Sequence, residues 1–275
     1  MSTSTKTETS HEALIAKLRI TSACQSYTTD SDTVVSIDDS KQQNGSFGKF
    51  HSKYTVVSDL CETDNSVLWV GKTKNACGTE VVVKRSHFDD EDDLAGYLEN
   101  GTPIEVAVQK RAEDIAVKGG RGKVLKIFDW YVYDTYYVIV TEYDSGFESL
   151  YNFTNSRDGE HLSEEECKEI FLLLSKLVLR MNRAGIYHLD LKPSNVLYHP
   201  ESGRLKLIDF GHSVAAGEGE NPYIRHTCGT DGMITPQQAS EDEECKGREV
   251  DEWGVAQVLL LLVIVNIIIT NLLTF

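Results

Sequence analysis

Residues 186–197 read IYHLDLKPSNVL, and LKLIDFGHS follows at 205–213. One short loop gathers Asp190, Lys192 and Asn195, and an apolar run then delivers Asp209, Phe210 and Gly211. Either aspartate alone reads equally well as a turn residue, since Asp side chains bond their own backbone in turns. With Lys192 and Asn195 between them, that explanation no longer covers the set, and the apolar LKLI predicts a buried strand ending at Asp209.

Outward from this core the chain divides into differently patterned stretches. Just upstream, EEECKEIFLLLSKLVLRMNRAG begins behind Ser163, an N-cap with acids in the first turn, and stops at Gly185, which predicts one long helix. Further upstream, YTVVSDL, SVLWVGKT and TEVVVKRS are β-branched runs separated by Asp, Asn and Gly, and predict consecutive antiparallel strands. PIEVAVQKRAEDIAV has helical apolar spacing behind Pro103, and VLKIFDWYVYDTYYVIVTEY predicts two strands around an Asp-Thr turn. Residues 1–50 are rich in Ser, Thr, Asp and Gln and read as a disordered tail; the alternative is a short amphipathic helix around Leu14, Ile15, Leu18 and Ile20 that docks on a surface. DDEDD at 89–93 reads as a solvated loop.

Composition sets the outer bounds. At 275 residues, with 40% hydrophobic and 25% charged, the chain has room for one large domain or two lobes. A net charge of −16 argues against non-specific binding to nucleic acid, whose phosphates need a basic surface. Six scattered cysteines without any C-x-x-C pair fit reduced thiols rather than a zinc site. MSTSTKTETSHE lacks the apolar core of a secretory signal, so the expected location is cytosol or nucleus.

HLDLKPSN, LIDFG and VVVK (81–84), in these positions, resemble the signature set of the eukaryotic protein kinases, over about Tyr54 to Gly254. The resemblance implies an α+β, two-lobe protein-kinase-like fold: a small lobe at 54–143, a large lobe at 144–257 that is incomplete, and an apolar segment at 258–275. It implies ATP and magnesium as cofactors and a protein serine or threonine as acceptor. Phosphoryl transfer needs charge neutralisation and positioning more than covalent help. By resemblance, Asp190 accepts the hydroxyl proton, Lys192 attends the transferring phosphoryl, and Asn195 and Asp209 hold magnesium. Lys84 pairs with the α and β phosphates and with a helix glutamate, Glu105, or Glu113 as runner-up. Leu60, Leu68, Val82 and Leu197 close on the base, the backbone of Glu142, Tyr143 and Asp144 faces the adenine, and Thr141 guards the pocket behind. Asp251 and Trp253 open the buried helix of the large lobe. GTPIEVAVQKRA, KVLKIFDWY and GRLKLIDFGHS are similar to PIM-type Ser/Thr kinases, and Thr230 with Lys192 fits the Ser/Thr class.

Four departures stand against the pattern. Cys61, Thr63 and Ser66 occupy the three glycine positions of the phosphate-covering loop, where left-handed backbone would cost a non-glycine residue about 1–2 kcal/mol. Leu189 replaces the arginine that pairs with a phosphorylated activation segment, so phosphate-driven ordering of 212–228 is not expected. Ser149, Asn152 and Ser194 stand where PIM-type kinases use acids to select arginine. Thr235-Pro236-Gln237 replaces Ala-Pro-Glu, and the late helices are missing.

The stretch from Val258 to Phe275 carries no charge and just reaches the roughly 18–20 residues of a membrane span. Three readings compete: a truncated chain whose buried helix runs into unrelated sequence, a membrane anchor facing the cytosol with Lys246 and Arg248 on its flank, and a packing that completes the lobe another way. The leading functional expectation is a Ser/Thr protein kinase. Its alternative is a pseudokinase that binds partners with weak or no catalysis, and a small-molecule kinase comes third. The oligomeric state is open.

Overall fold

The computed structural model describes residues 37–45, 48–62, 66–88, 98–116, 120–155, 162–224, 230, 233–240 and 244–273, excluding the side chains of residues 44, 116 and 264–273. The apolar patch at 14–20 and the acidic run 89–93 lie outside these residues. Two compact units form, one from residues 1–107 and 126–145, the other from 108–125 and 146–275.

In the first unit the β-branched runs become strands: β2 (Tyr54–Glu62), β3 (Ser66–Thr73) and β4 (Glu80–His87), then β8 (Ile127–Val132) and β9 (Tyr136–Glu142), with strands numbered along the chain. With β1 (Asn44–Gly45) they form an antiparallel sheet in the order β1-β8-β9-β4-β3-β2. Alternate residues Val81, Val83, Val138 and Val140 point to one face, where they bury against Trp69, Tyr131 and Tyr133. A minor hairpin, β5 (Leu98–Glu99) with β6 (Thr102–Pro103), leads into helix α2 (Ile104–Ala116), which follows the single turn α1 (Phe50–Lys53) in chain order.

The sixth strand corrects the expected tail. β1 (Asn44–Gly45) pairs with Tyr131 and Val132 at the edge of β8, and Gln43 N–H donates to Val132 O at 2.7 Å. Ile37 and Phe50 are buried in the same core as Tyr131, and His51 Nε2 donates to Ile37 O at 2.8 Å. Asp38 N–H donates to the Tyr136 hydroxyl, and Asp39 accepts from His51 N–H at 3.0 Å. The described part of the first unit therefore begins at Ile37 rather than Tyr54, because backbone pairing and a few buried rings hold a segment whose own composition is polar.

The second unit is built around α4 (Glu164–Arg183). Ser163 caps it reciprocally: Glu166 N–H donates to Ser163 Oγ at 3.1 Å, and Ser163 N–H donates to Glu166 Oε2 at 2.8 Å. Ile170, Leu174, Leu177, Val178 and Met181 line its buried stripe. Against it pack α3 (Leu150–Asn155) and α5 (Gly247–Leu273), the latter through Val255, Val258 and Leu262. A small sheet runs in the order β10 (Glu148–Ser149), β12 (Val196–His199), β13 (Arg204–Leu207), β7 (Gly122–Val124), the last pair parallel. Two further pairs join β11 (Ile186–Tyr187) to β14 (Val214–Ala215), and β15 (Tyr223–Ile224) to β16 (Cys245–Lys246).

The expected lobe boundaries shift accordingly. Residues 108–125 belong with the second unit, since Val108, Ala112 and Val124 are buried in its core. The expected boundary at 257/258 disappears, because α5 is one helix from Gly247 to Leu273. Val258 and Leu262 sit in the core, and among the described residues no helix is long and apolar enough to cross a membrane. The side chains of 264–273 and all of residues 274 and 275 lie outside that description.

Candidate active site

The sequence-selected residues fall into one group in each unit. In the first unit, β4 carries Lys84 and the first turn of α2 carries Glu105, where a carboxylate is favoured by the helix dipole. Lys84 Nζ pairs with Glu105 Oε1 at 2.7 Å, and Tyr137 OH donates to Glu105 Oε2 at 2.7 Å. Both carboxylate oxygens are thus engaged, which fixes the lysine's partner at only 5% side-chain exposure. Burial, with the neighbouring Glu105 second, pushes the Tyr137 phenol well above its ordinary range, so it stays a donor. Glu113, the runner-up, lies two turns further along α2 and in the second unit.

Leu60, Leu68, Val82, Val70 and Tyr143 pack as one apolar cluster on the same sheet. Glu142 closes β9: its N–H donates to Lys126 O, and its Oε1 accepts from Lys126 N–H, both at 2.9 Å. Thr141 is buried and Asp144 is exposed. At the glycine positions, the expected backbone strain is missing at two of three. Cys61 and Ser66 lie in the extended strands β2 and β3, and the described non-glycine residues with positive φ are Asn100, Leu189 and Asp209. Ser66 Oγ and Ser86 Oγ lie 2.8 Å apart across β3 and β4. Thr63 is outside the described residues.

In the second unit the loop after β11 gathers its charged residues tightly. Asn195 Nδ2 donates to Asp190 O and to Asp190 Oδ2, both at 2.9 Å. Lys192 Nζ lies 2.8 Å from Asp190 Oδ2 and donates to Thr230 Oγ1 at 2.5 Å. Thr230 Oγ1 donates in turn to Asp190 Oδ1 at 2.9 Å. A buried carboxylate is therefore held at both oxygens with a cation beside it, an arrangement suited to accepting a proton from a hydroxyl placed against it. Leu197 is buried on β12.

Two backbone positions are left-handed here, Leu189 at φ 65° and Asp209 at φ 64°. For Leu189 that geometry costs on the order of 1–2 kcal/mol and needs outside support. Asp251, at the start of α5, supplies it. Its carboxylate accepts from Leu189 N–H at 2.9 Å, from His188 N–H at 3.1 Å and from Asn182 Nδ2 at 2.7 Å. Complete burial raises the Asp251 carboxyl above its ordinary range, while these hydrogen bonds oppose the rise. His188 Nε2 donates to Ile208 O at 2.9 Å and its ring meets the buried Phe210 edge-on at 4.8 Å, which fixes the strand end presenting Asp209.

Magnesium prefers oxygen donors, and Asn195 and Asp209 offer them. With its Nδ2 committed to Asp190, Asn195 has its amide oxygen to give. The oxygen donors of Asn195 and Asp209 are of the kind this ion takes, and the ammonium of Lys84 is of the kind a phosphate takes. Tyr137 and Asn182 carry contacts that the sequence does not mark. Their partners lie 32 and 69 positions away, so no local spacing announces them.

The protein kinase domain family matches residues 73–272. CBL-interacting serine/threonine-protein kinase 3 of Arabidopsis thaliana is 31% identical over 184 residues, 62% of this chain and 41% of that protein. The probable serine/threonine-protein kinase fhkC of Dictyostelium discoideum is 37% identical over 101 residues, 36% of this chain and 17% of that protein. The chain spans well under half the length of these curated relatives. The Cydia pomonella granulovirus kinase PK-1 matches in structure with a TM-score of 0.59 at 20% identity, covering 77% of this chain and 71% of that one.

Proposed function

The chain belongs to the protein kinase domain family, with a strand-rich N lobe and a helical C lobe, and from that premise we propose that it transfers the γ-phosphoryl group of ATP to a protein serine or threonine. The observation that carries this reading is the Asp190 carboxylate, held by Thr230 at one oxygen and by Asn195 and Lys192 at the other. Asp190 orients the acceptor hydroxyl and takes its proton as the Oγ–P bond forms and the bond to the β-phosphate oxygen breaks, releasing ADP. Lys192 balances charge on the migrating phosphoryl. Lys84, positioned by Glu105 and Tyr137, holds the α and β phosphates. Magnesium, when bound through Asn195 and Asp209, neutralises the phosphate oxygens. Leu60, Leu68 and Val82, clustered on the first unit's sheet, supply apolar surface for the base.

Serine or threonine specificity is supported by the named relatives and by the contact between Lys192 and Thr230. Likeness to PIM-type kinases belongs to the same proposal, without their choice of arginine. Ser149 and Ser194 are buried, Ser149 Oγ accepts from Asn152 N–H at 3.1 Å, and none of the three carries a charge. The site of action proposed is the cytosol or nucleus. One feature favours a second reading, a nucleotide- or partner-binding module without catalysis: no glycine stands at Cys61, Thr63 or Ser66, and glycine is the residue that lets backbone approach a phosphate most closely.

Labelled phosphate from Mg-ATP, offered with a mixed Ser/Thr peptide library, tests the choice. Transfer by the chain that falls about 10²–10⁴-fold in Asp190→Asn is expected. No transfer, with Mg-ATP still raising the melting temperature, would move the reading to the binding module.

A further inference from the structure

Residues 214–224 are pinned to the second unit by backbone pairing and by side-chain hydrogen bonds. β14 pairs with β11, and Ala216 N–H donates to Gly185 O at 2.7 Å. Arg111 donates to Ala184 O at 2.9 Å and to Ala216 O at 3.0 Å. Further along, Tyr187 OH donates to Glu220 O at 2.5 Å, and Arg248 N–H donates to Asn221 Oδ1 at 2.9 Å. Gly247 N–H donates to Pro222 O at 3.0 Å, and Tyr223 and Ile224 pair with Lys246 and Cys245.

These contacts bring the Ile224 side chain into one buried cluster with Tyr187, Leu189, Cys245 and Val250. Leu189 is the residue before Asp190, it is 3% exposed, and its backbone is the left-handed one. Its N–H is fixed by Asp251, but its side chain lies in an apolar cluster to which the 214–224 segment contributes the buried Ile224 and the partly buried Val214. A cation at position 189 would demand an anion inside this cluster, whereas leucine demands only closure. Burial of apolar surface supplies that closure without any modification.

We propose that Ile224 is a positioning residue: packed with Leu189, it locks residues 214–224 onto the loop that carries Asp190, so that the loop is held without phosphorylation of that segment. The kinetic part of this proposal rests on the phosphoryl-transfer reading, and the structural part does not. Ile224 has no expected contact with nucleotide or substrate and acts through the buried cluster that holds Leu189.

The test uses the full chain treated with a broad-specificity protein phosphatase and shown by mass to be phosphate-free, alongside Ile224→Ala and Ile224→Val. In the phosphate-free chain, hydrogen exchange of the peptide spanning 214–224 is expected to be at least about 100-fold slower than in the free peptide. Ile224→Ala should speed that exchange about tenfold and lower kcat about tenfold with peptide KM within about twofold, and Ile224→Val should recover both. Free-peptide exchange in the phosphate-free chain, or a kcat that falls on phosphatase treatment, would overturn the lock. So would Ile224→Ala with wild-type exchange. If circular dichroism shows that Ile224→Ala does not fold, Ile224→Val decides: exchange between wild type and the free peptide supports the lock, and wild-type exchange refutes it. If no form transfers phosphate, the phosphoryl-transfer reading falls, while exchange still decides whether Ile224 locks the segment.

Discussion

Lys84 and Glu105 illustrate how much a pair can be asked to do when one partner is buried. Their separation of 21 residues could be read off the sequence because the strand and helix that carry them have clear periodicities, and the ion pair at 2.7 Å joins them directly. Tyr137 could not be found that way, since it approaches from another strand and declares itself only in three dimensions. Lys84→Met leaves the Glu105 carboxylate buried without its cation, and equilibrium denaturation should show a loss of about 3 kcal/mol. Lys84→Met combined with Glu105→Gln should recover part of it, and a double-mutant cycle measures the coupling. A full 3 kcal/mol loss that persists in the double variant would mean the lysine acts through packing rather than charge. In the second unit, Asp190, Lys192 and Asn195 were legible from their spacing, whereas Asn182 and the contacts of Asp251 were not, because a buried carboxylate gathering donors from two distant segments leaves no periodic trace.

Helices with capped ends were the most legible elements. Ser163, with acids in the turn after it, marks the start of α4 and Gly185 its end, and the structure has the helix between them. The loop strain expected at the glycine positions is missing at Cys61 and Ser66 because these residues extend the strands instead of turning between them. β1 was illegible for a different reason: its residues contribute backbone rather than apolar side chains, and what it covers belongs to β8. α5 is placed by a close approach. A Cβ at Gly254 would come within 2.6 Å of Leu191 Cβ and 2.9 Å of Leu191 O, directly beside Asp190. Gly254→Ala must therefore displace the loop or the helix. With reacting groups sensitive to shifts of an ångström, kcat should fall by about tenfold to 100-fold. Steady-state kinetics on the variant would check this, and unchanged kcat would show that the helix, not the loop, gives way.

At the scale of the whole molecule, two units were expected, but their borders were not, because α2 is continuous in sequence while its residues divide between two cores. The first unit is unusually dense in buried phenols. Burial raises the pKa of Tyr54, Tyr131, Tyr133, Tyr136 and Tyr137, and Tyr143 is pushed up to about 12. A phenol whose folded pKa exceeds its unfolded value of about 10 contributes stability in full below that pH and loses it as pH rises through the folded value. Stability should therefore fall between pH 10 and about 12, with phenolate absorbance appearing together with unfolding; phenolate formation at ordinary pKa in the folded chain would contradict it. The strap from Ile37 to Gly45 has a practical bearing as well. A fragment expressed from Tyr54 onward would present the bare edge of β8 and an uncovered patch of aromatic core to its neighbours in solution. Light scattering should show that fragment forming soluble aggregates at concentrations where one starting before Ile37 stays dispersed, so colloidal behaviour would report on a segment that takes no part in the chemistry.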